Sequence, residues 1–278
     1  MAVALFFTAA CSPLRTFNAL MPKDGGSRIV LRDAAFGAGP RQRLDVYAPI
    51  RPADSSRPMI VFFYGGSWSG GTKAGYTFVG RALAARGFVV VIPDYRLVPE
   101  IVFPEFLKDG AAAVHWARRH AAELGGDPDR IVLMGHSAGA YNAAMLSLDP
   151  QWLGADRAAI RGFAGLAGPY DFLPFDIPVS INTFGAWPRP EETQPVRFAG
   201  AGDPPALLLH GAKDDTVLPR NSVALARTLR AAGVDAEYRA YPDVGHAGIV
   251  TALARPLRGN APTLTDVVEF ANRVTGRR

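Results

Sequence analysis

The chain has 278 residues, 49% of them apolar or aromatic and 20% charged, with a formal net charge of +5 and one cysteine. That much hydrophobicity with so little net charge excludes a globally disordered chain, and no apolar run approaches the roughly 20 residues that cross a bilayer. The lone Cys11 excludes an intrachain disulfide framework and a cysteine-rich metal site. Only Lys23, Lys73, Lys108 and Lys213 are lysines; the remaining basic residues are scattered arginines, most near an acid. The densest spots, Arg118-Arg119-His120 and Arg277-Arg278, are too short to follow a phosphate backbone, so nucleic acid is not an expected partner.

In chain order, residues 1–27 read as a lead-in. Ala2 to Ala10 is apolar, ends in small residues and runs straight into Cys11. This resembles the end of a bacterial lipoprotein signal. It implies export, with a lipidated Cys11 attaching the protein to a membrane on the periplasmic face; the alternative is a buried segment of a cytoplasmic protein. From residue 28 onward the pattern is that of one domain. Arg28–Leu31 and Leu44–Tyr47 read as strands joined by a glycine-rich turn. Pro58–Tyr64, Gly87–Pro93 and Arg130–Gly135 are continuous apolar runs, the mark of strands buried on both faces. Tyr76–Arg86, Phe103–Leu124 and Ala138–Leu148 carry helical spacing between and after them.

Arg161–Leu166 and Ala206–His210 read as further strands, Asn221–Ala232 as a helix closed by Gly233, Ala236–Tyr241 as a last edge strand, and Thr265–Val274 as a final helix. Strands alternating with helices predict an α/β fold with a mostly parallel, eight-stranded sheet and helices on both faces. One stretch, about 173–205, breaks the rhythm. Seven prolines lie between Phe172 and Pro205, with aromatics at Phe172, Phe175, Phe184, Trp187 and Phe198. A long irregular insertion in a compact domain is a functional segment or a linker, and its aromatics favour a packed cap.

Gly135-His136-Ser137-Ala138-Gly139 fits G-x-S-x-G where a buried strand turns directly into a helix. Such a turn thrusts the serine hydroxyl out at the sheet's carboxyl edge, with the helix N-terminus behind it. A serine hydroxyl needs an imidazole-like base near neutral pH. Of five histidines, His136 belongs to the turn itself, His115 and His120 lie on the mid-chain helix, and His210 ends a strand before Gly211. His246 alone lies downstream of the last strand, in a glycine-flanked loop, and is the expected base. The carboxylate that orients it follows the strand Ala206–His210. Asp214 is preferred and Asp215 is the runner-up, though spacing alone does not separate neighbours; Asp243, three residues before His246, is less suitable. Backbone donors for a developing oxyanion are expected at Gly66 and Ser67, in Tyr64-Gly65-Gly66-Ser67-Trp68, and at Ala138.

These motifs, with Leu44-Asp45-Val46-Tyr47, Pro93-Asp94-Tyr95-Arg96-Leu97-Val98-Pro99-Glu100, Phe103-Pro104, Asp109 and His210-Gly211-Ala212-Lys213-Asp214-Asp215-Thr216-Val217, carry a family likeness. From about Leu44 onward the chain resembles α/β-hydrolase serine esterases of the carboxylesterase branch, similar to hormone-sensitive lipases and bacterial kynurenine-formamidase-like enzymes. The resemblance places the catalytic aspartate at Asp214 and gives the Tyr-Arg-Leu segment a bracing role. The family has His before Gly-Gly where this chain has Tyr64, which should alter loop positioning more than chemistry. The leading reading is a cofactor-free and metal-free serine hydrolase, and the short cap, rich in proline and aromatics, predicts a small acyl pocket for short-chain or aryl esters of small molecules, with pocket candidates Trp68, Phe172, Phe184 and Trp187. An amide-cleaving relative of formamidase or peptidase type is the nearest alternative, and a non-catalytic binding protein of the same fold the next.

Overall fold

The strands of the computed structural model are β1 (Ser27–Ala35), β2 (Arg43–Pro49), β3 (Arg57–Phe63), β4 (Val89–Pro93), β5 (Gly126–His136), β6 (Ile160–Leu166), β7 (Ala206–Gly211) and β8 (Ala236–Tyr241). The helices are α1 (Pro13–Leu20), α2 (Thr77–Ala84), α3 (Glu105–Arg119), α4 (Ala138–Leu148), α5 (Pro150–Leu153), α6 (Pro178–Phe184), α7 (Arg220–Ala231), α8 (His246–Thr251) and α9 (Thr263–Val274). The structure describes residues 13–277, so the export-like segment and Cys11 lie outside the described residues.

All eight strands form one sheet in the order β1-β2-β4-β3-β5-β6-β7-β8. Strands β4, β3, β5, β6, β7 and β8 run parallel, while β2 pairs antiparallel with both β1 and β4. The apolar runs occupy the centre because helices cover both faces there. Alternate residues of β3 enter opposite cores: Ile60 and Phe62, with Tyr64 just after the strand, share a cluster with Phe78, Val79 and Leu83 of α2 and with residues of α9. Met59, Val61 and Phe63 pack on the other side, in the layer of α3, α4 and α7. The edges look different. β1 is half exposed with two register shifts against β2, and β8 exposes the middle of its alternating AEYRAY sequence.

Two expected elements differ. The helix expected over Phe103–Leu124 stops at Arg119, and a separate turn of 3₁₀-helix, Ala122–Leu124, follows it. Gly125 then takes φ 72° and Gly126 N–H donates to Ala121 C=O (2.7 Å), reversing the chain into β5. The proline-rich insertion holds α6 and two 3₁₀ turns, Pro190–Thr193 and Pro195–Phe198, each started by a proline whose missing N–H costs nothing at that position. It connects the neighbouring strands β6 and β7. The segments after β3, β5, β7 and β8 all leave from the same, carboxyl edge of the sheet, where α/β folds gather their working residues.

Candidate active site

Ser137 stands between β5 and α4 with φ 54° and ψ −125°, a conformation that costs a non-glycine residue about 1–3 kcal/mol. Its surroundings leave little alternative. A Cβ on Gly135 would sit 2.1 Å from Gly139 C=O, and one on Gly139 would sit 2.1 Å from Phe63 C=O. Ser137 N–H donates to Leu166 C=O of β6 (2.9 Å), and Ser137 C=O accepts from Ala140 N–H at 2.9 Å. The hydroxyl therefore projects above the sheet edge, with α4 starting directly behind it.

His246 Nε2 lies 2.9 Å from Ser137 Oγ, and His246 Nδ1 lies 2.8 Å from Asp214 Oδ2. The carboxylate accepts from Nδ1–H, which leaves Nε2 bare to accept the serine proton. His246 does not sit in a glycine-flanked loop as expected: it is the first residue of α8, entered through Gly245 in extended conformation. Lys213 N–H donates to Val244 C=O (3.0 Å), and a Cβ on Gly211 would meet Val244 C=O at 2.2 Å, so the segments carrying acid and base are pressed together.

Asp214 is fully buried and multiply held. Its Oδ1 accepts from Thr216 N–H (3.0 Å) and Val217 N–H (2.9 Å), while His210 Nε2 lies 3.2 Å from Oδ2. Burial opposes ionisation, yet the hydrogen bonds from His210, His246 and the Val217 N–H outweigh it and hold the carboxyl well below the usual carboxylate range. The other carboxylates lie elsewhere. Asp215 is exposed at the cavity wall, and Asp243 pairs with Lys213 at the surface (2.8 Å). His115 faces Asp156, and His120 stacks on Trp116.

The loop after β3 presses on Ser137. A Cβ on Gly65 would come within 2.9 Å of Ser137 Cβ. Gly66, Ser67 and Trp68 all have positive φ (143°, 53° and 55°), two of them in side-chain-bearing residues where this backbone is strained. Among the described residues, no protein acceptor takes the N–H of Gly66, Ser67 or Ala138. What fixes this loop answers the substitution at Tyr64. Its ring stacks against Tyr95 (4.8 Å) and Tyr76 (5.7 Å), and its hydroxyl accepts from Arg41 (2.8 Å). Arg41 also donates to Gly71 C=O (2.9 Å) and Tyr95 C=O (2.8 Å). The Tyr-Arg-Leu segment adds Tyr95 Oη to Tyr64 C=O (2.8 Å), Val98 N–H to Trp68 C=O (2.9 Å), and a buried Arg96–Asp109 pair (2.8 Å).

Ser67, Trp68, Ser137, Ala138 and Phe172 line one cavity of about 530 Å³, walled further by Leu173, Ile177, Val179 and Leu218. Two pocket candidates do not line it. Phe184 is buried under Trp68 (4.9 Å, edge-on) and packs against Phe106 and Tyr141. Trp187 turns the other way, meeting Phe103 (5.1 Å) and Glu192 (3.1 Å) at a separate cleft with Trp152 and Phe198. Aromatic composition marked the cap as packed, but the direction of each ring depends on partners distant in sequence. Arg41 and the Asp214-holding His210 were not expected at the site. Their only sequence signals were a basic residue beside a glycine turn and a histidine four residues before the acid.

The model of the prolyl oligopeptidase family matches residues 107–277, more than half of the chain, and the BD-FAE model matches residues 44–162. Isoprenylcysteine alpha-carbonyl methylesterase ICME of Arabidopsis thaliana is 31% identical over 264 residues, covering 86% of this chain and 61% of that protein. Carboxylesterase NlhH of Mycobacterium tuberculosis is 30% identical over 226 residues, covering 73% of this chain and 70% of that protein. The chain thus spans less than two thirds of the length of several curated relatives, 61% and 54% in two further Arabidopsis methylesterases. Among solved structures, esterase B of Lactobacillus rhamnosis superposes with a TM-score of 0.82 at 19% identity, covering 95% of this chain and 92% of that one. A carbohydrate esterase from gut microbiota superposes at 0.77 with 20% identity, covering 92% and 99%. With a family model matched over more than half of its length, a carboxylesterase relative at 30% identity and a fold shared with esterases, the chain belongs to the α/β-hydrolase esterases.

Proposed function

We propose that the protein is a serine carboxylesterase acting on short-chain or aryl esters of small molecules. The observation that carries this reading is the unbroken line Ser137 Oγ–His246 Nε2 and His246 Nδ1–Asp214 Oδ2, opening onto a cavity beside unpaired backbone donors. Ser137 Oγ attacks the ester carbonyl carbon as its proton passes to His246 Nε2. The carbonyl oxygen becomes an oxyanion, met by the N–H groups of Gly66, Ser67 and Ala138. Collapse breaks the bond to the alcohol, which leaves with the proton from His246, and Ser137 is left acylated. Water then attacks the acyl carbon, giving its proton to His246, and release of the acid returns that proton to Ser137. Asp214 stays ionised throughout and stabilises the imidazolium.

The ring layer of Trp68, Phe106, Tyr141 and Phe184 fills the space beneath the oxyanion loop, which supports a short acyl group. Ser137→Ala should lower turnover of p-nitrophenyl acetate and butyrate by about 10⁴-fold or more, and undiminished turnover would overturn the assignment. The prolyl oligopeptidase match over residues 107–277 favours one second reading, amide cleavage at the same serine. Parallel assays on formyl-anilide, peptide and ester substrates separate the two by kcat/KM. The Cys11 motif supports a lipoprotein at the periplasmic face; labelled fatty acid incorporated into the wild type and lost in Cys11→Ser tests it.

A further inference from the structure

His136 is a buried imidazole next to the nucleophile that the acyl-transfer cycle does not use. Its side chain points under the site. Nε2 lies 3.0 Å from the backbone C=O of His246, and because a carbonyl only accepts, Nε2 carries the ring proton. Nδ1 is then bare and faces Tyr76 Oη at 3.5 Å, a long contact, while the same hydroxyl accepts from Gly65 N–H at 3.2 Å. Gly65 rests directly on the ring: a Cβ there would stand 3.0 Å from Nδ1. The His136 and His246 rings lie 5.0 Å apart between centroids.

These contacts form a short path, Gly65–Tyr76–His136–His246, that passes below Ser137 and joins the oxyanion loop to the base. We propose that His136 is a positioning residue: it holds the backbone of His246 and the Gly65 turn at fixed separations from the nucleophile that it adjoins in the chain. The proposal rests on the serine-hydrolase reading. The ring suits this task because it stays neutral. Burial, and then the nearness of His246, push its pKa down to about 3, so it keeps one donor and one acceptor while His246 gains and loses a proton. A misplacement of about 1 Å in a reacting group costs on the order of 100-fold in rate, which sets the size of effect available to such a strut.

The test compares His136→Leu, which fills space without a donor, with His136→Gln, whose amide N–H reaches toward the same carbonyl. Each is assayed with p-nitrophenyl butyrate, with kcat expressed per serine titrated by a fluorophosphonate. We expect His136→Leu to lose about 10- to 100-fold in kcat with KM within about twofold, and His136→Gln to stay within about threefold of wild type. Tyr76→Phe should lose about three- to tenfold, as befits the longer contact. A purely structural role would lower the thermal midpoint and the titrated fraction but leave kcat per titrated serine unchanged, and that result overturns the proposal. So does a His136→Gln enzyme as slow as His136→Leu. If His136→Leu does not fold, His136→Gln and Tyr76→Phe decide: Gln near wild type with Phe slowed supports the strut, and any other pair of results overturns it. Failure of the serine-hydrolase reading itself would show separately, as wild-type protein that the fluorophosphonate does not label.

Discussion

The two sides of the catalytic cavity are built by different means. The platform side, made of the segments after β3, β5, β7 and β8, is held by backbone hydrogen bonds, close glycine contacts and buried ionic groups, and it stores strain at Ser67, Trp68 and Ser137. The cap side, residues 172–205, is held mainly by rings: Phe172, Phe175 and Phe184 pack on one another and on Tyr141. Few hydrogen bonds pin it, among them Tyr141 Oη to Thr193 C=O (2.8 Å), Phe103 N–H to Thr183 C=O (3.0 Å) and Gln194 Oε1 accepting from Phe172 N–H (2.8 Å). It also leaves Leu173, Ile177, Val179 and Ile181 exposed. Directional bonds hold the reacting atoms in register, whereas non-directional apolar packing shapes the volume next to them and tolerates change.

That contrast is open to attack by mutation. Asp214→Asn should cost the platform about 10³- to 10⁴-fold in kcat with little change in KM, because the wrong tautomer of His246 is favoured; steady-state kinetics on a nitrophenyl ester reads it. Phe184→Ala removes the centre of the cap's ring cluster and should destabilise the fold by about 3–5 kcal/mol in urea titrations, with a much smaller effect on kcat per titrated serine. A comparable loss in both would mean that the cap also sets the chemistry. The platform should in addition show an acid-sensitive stability. His136 has its native pKa pushed from 6.5 to about 3, so below pH 6.5 the unfolded chain binds a proton that the native state refuses. Stability from this group is therefore intact above pH 6.5 and falls as pH drops, by up to about 1.4 kcal/mol per unit. Urea midpoints at pH 7 and 5 should shift more in wild type than in His136→Gln, and equal shifts would contradict the buried neutral ring. The smallest effect is expected at the cap's rim. Ile177→Ser should raise KM for apolar aryl esters about two- to fivefold, leave kcat for the acetate ester unchanged, and move stability by less than about 0.5 kcal/mol.

The central strands were legible because burial on both faces demands continuous apolar runs, and β3, β4, β5 and β7 have them. Ser137 and His246 were legible as candidates because strand–turn–helix spacing and chain order constrain such a set, which left Asp214 beside Asp215 until the family likeness favoured it; the structure brings Ser137, His246 and Asp214 together. Other features rest on contacts that no local pattern encodes. His136 meets a carbonyl 110 residues away, and the hydroxyl of Tyr64 meets Arg41 across 23 residues. The helix beginning at His246 has only six residues, too few for a periodic signal, and the end of α3 is set by the reversal into β5. Trp187 was misplaced for the same reason: its composition marks a packed ring, but the face it packs on belongs to Phe103 in another part of the chain.

The cap also has a particular address in the sheet. It departs after β6 and returns into β7, two strands that are hydrogen-bonded neighbours from Phe163 to Leu166. Because these strands run parallel, it leaves β6 at the carboxyl edge and re-enters β7 from the opposite edge, and its outgoing stem is held by Asn221, whose Oδ1 accepts from Tyr170 N–H and Asp171 N–H at 2.9 Å each. The segment is thus a crossover between adjacent strands whose outgoing stem is held by a residue of α7 and whose passage walls the cavity. Exchanging it for a relative's segment should change the cavity wall while the strand order stays the same. That segment is a handle on the cavity's shape, and it lies outside the line from Ser137 through His246 to Asp214.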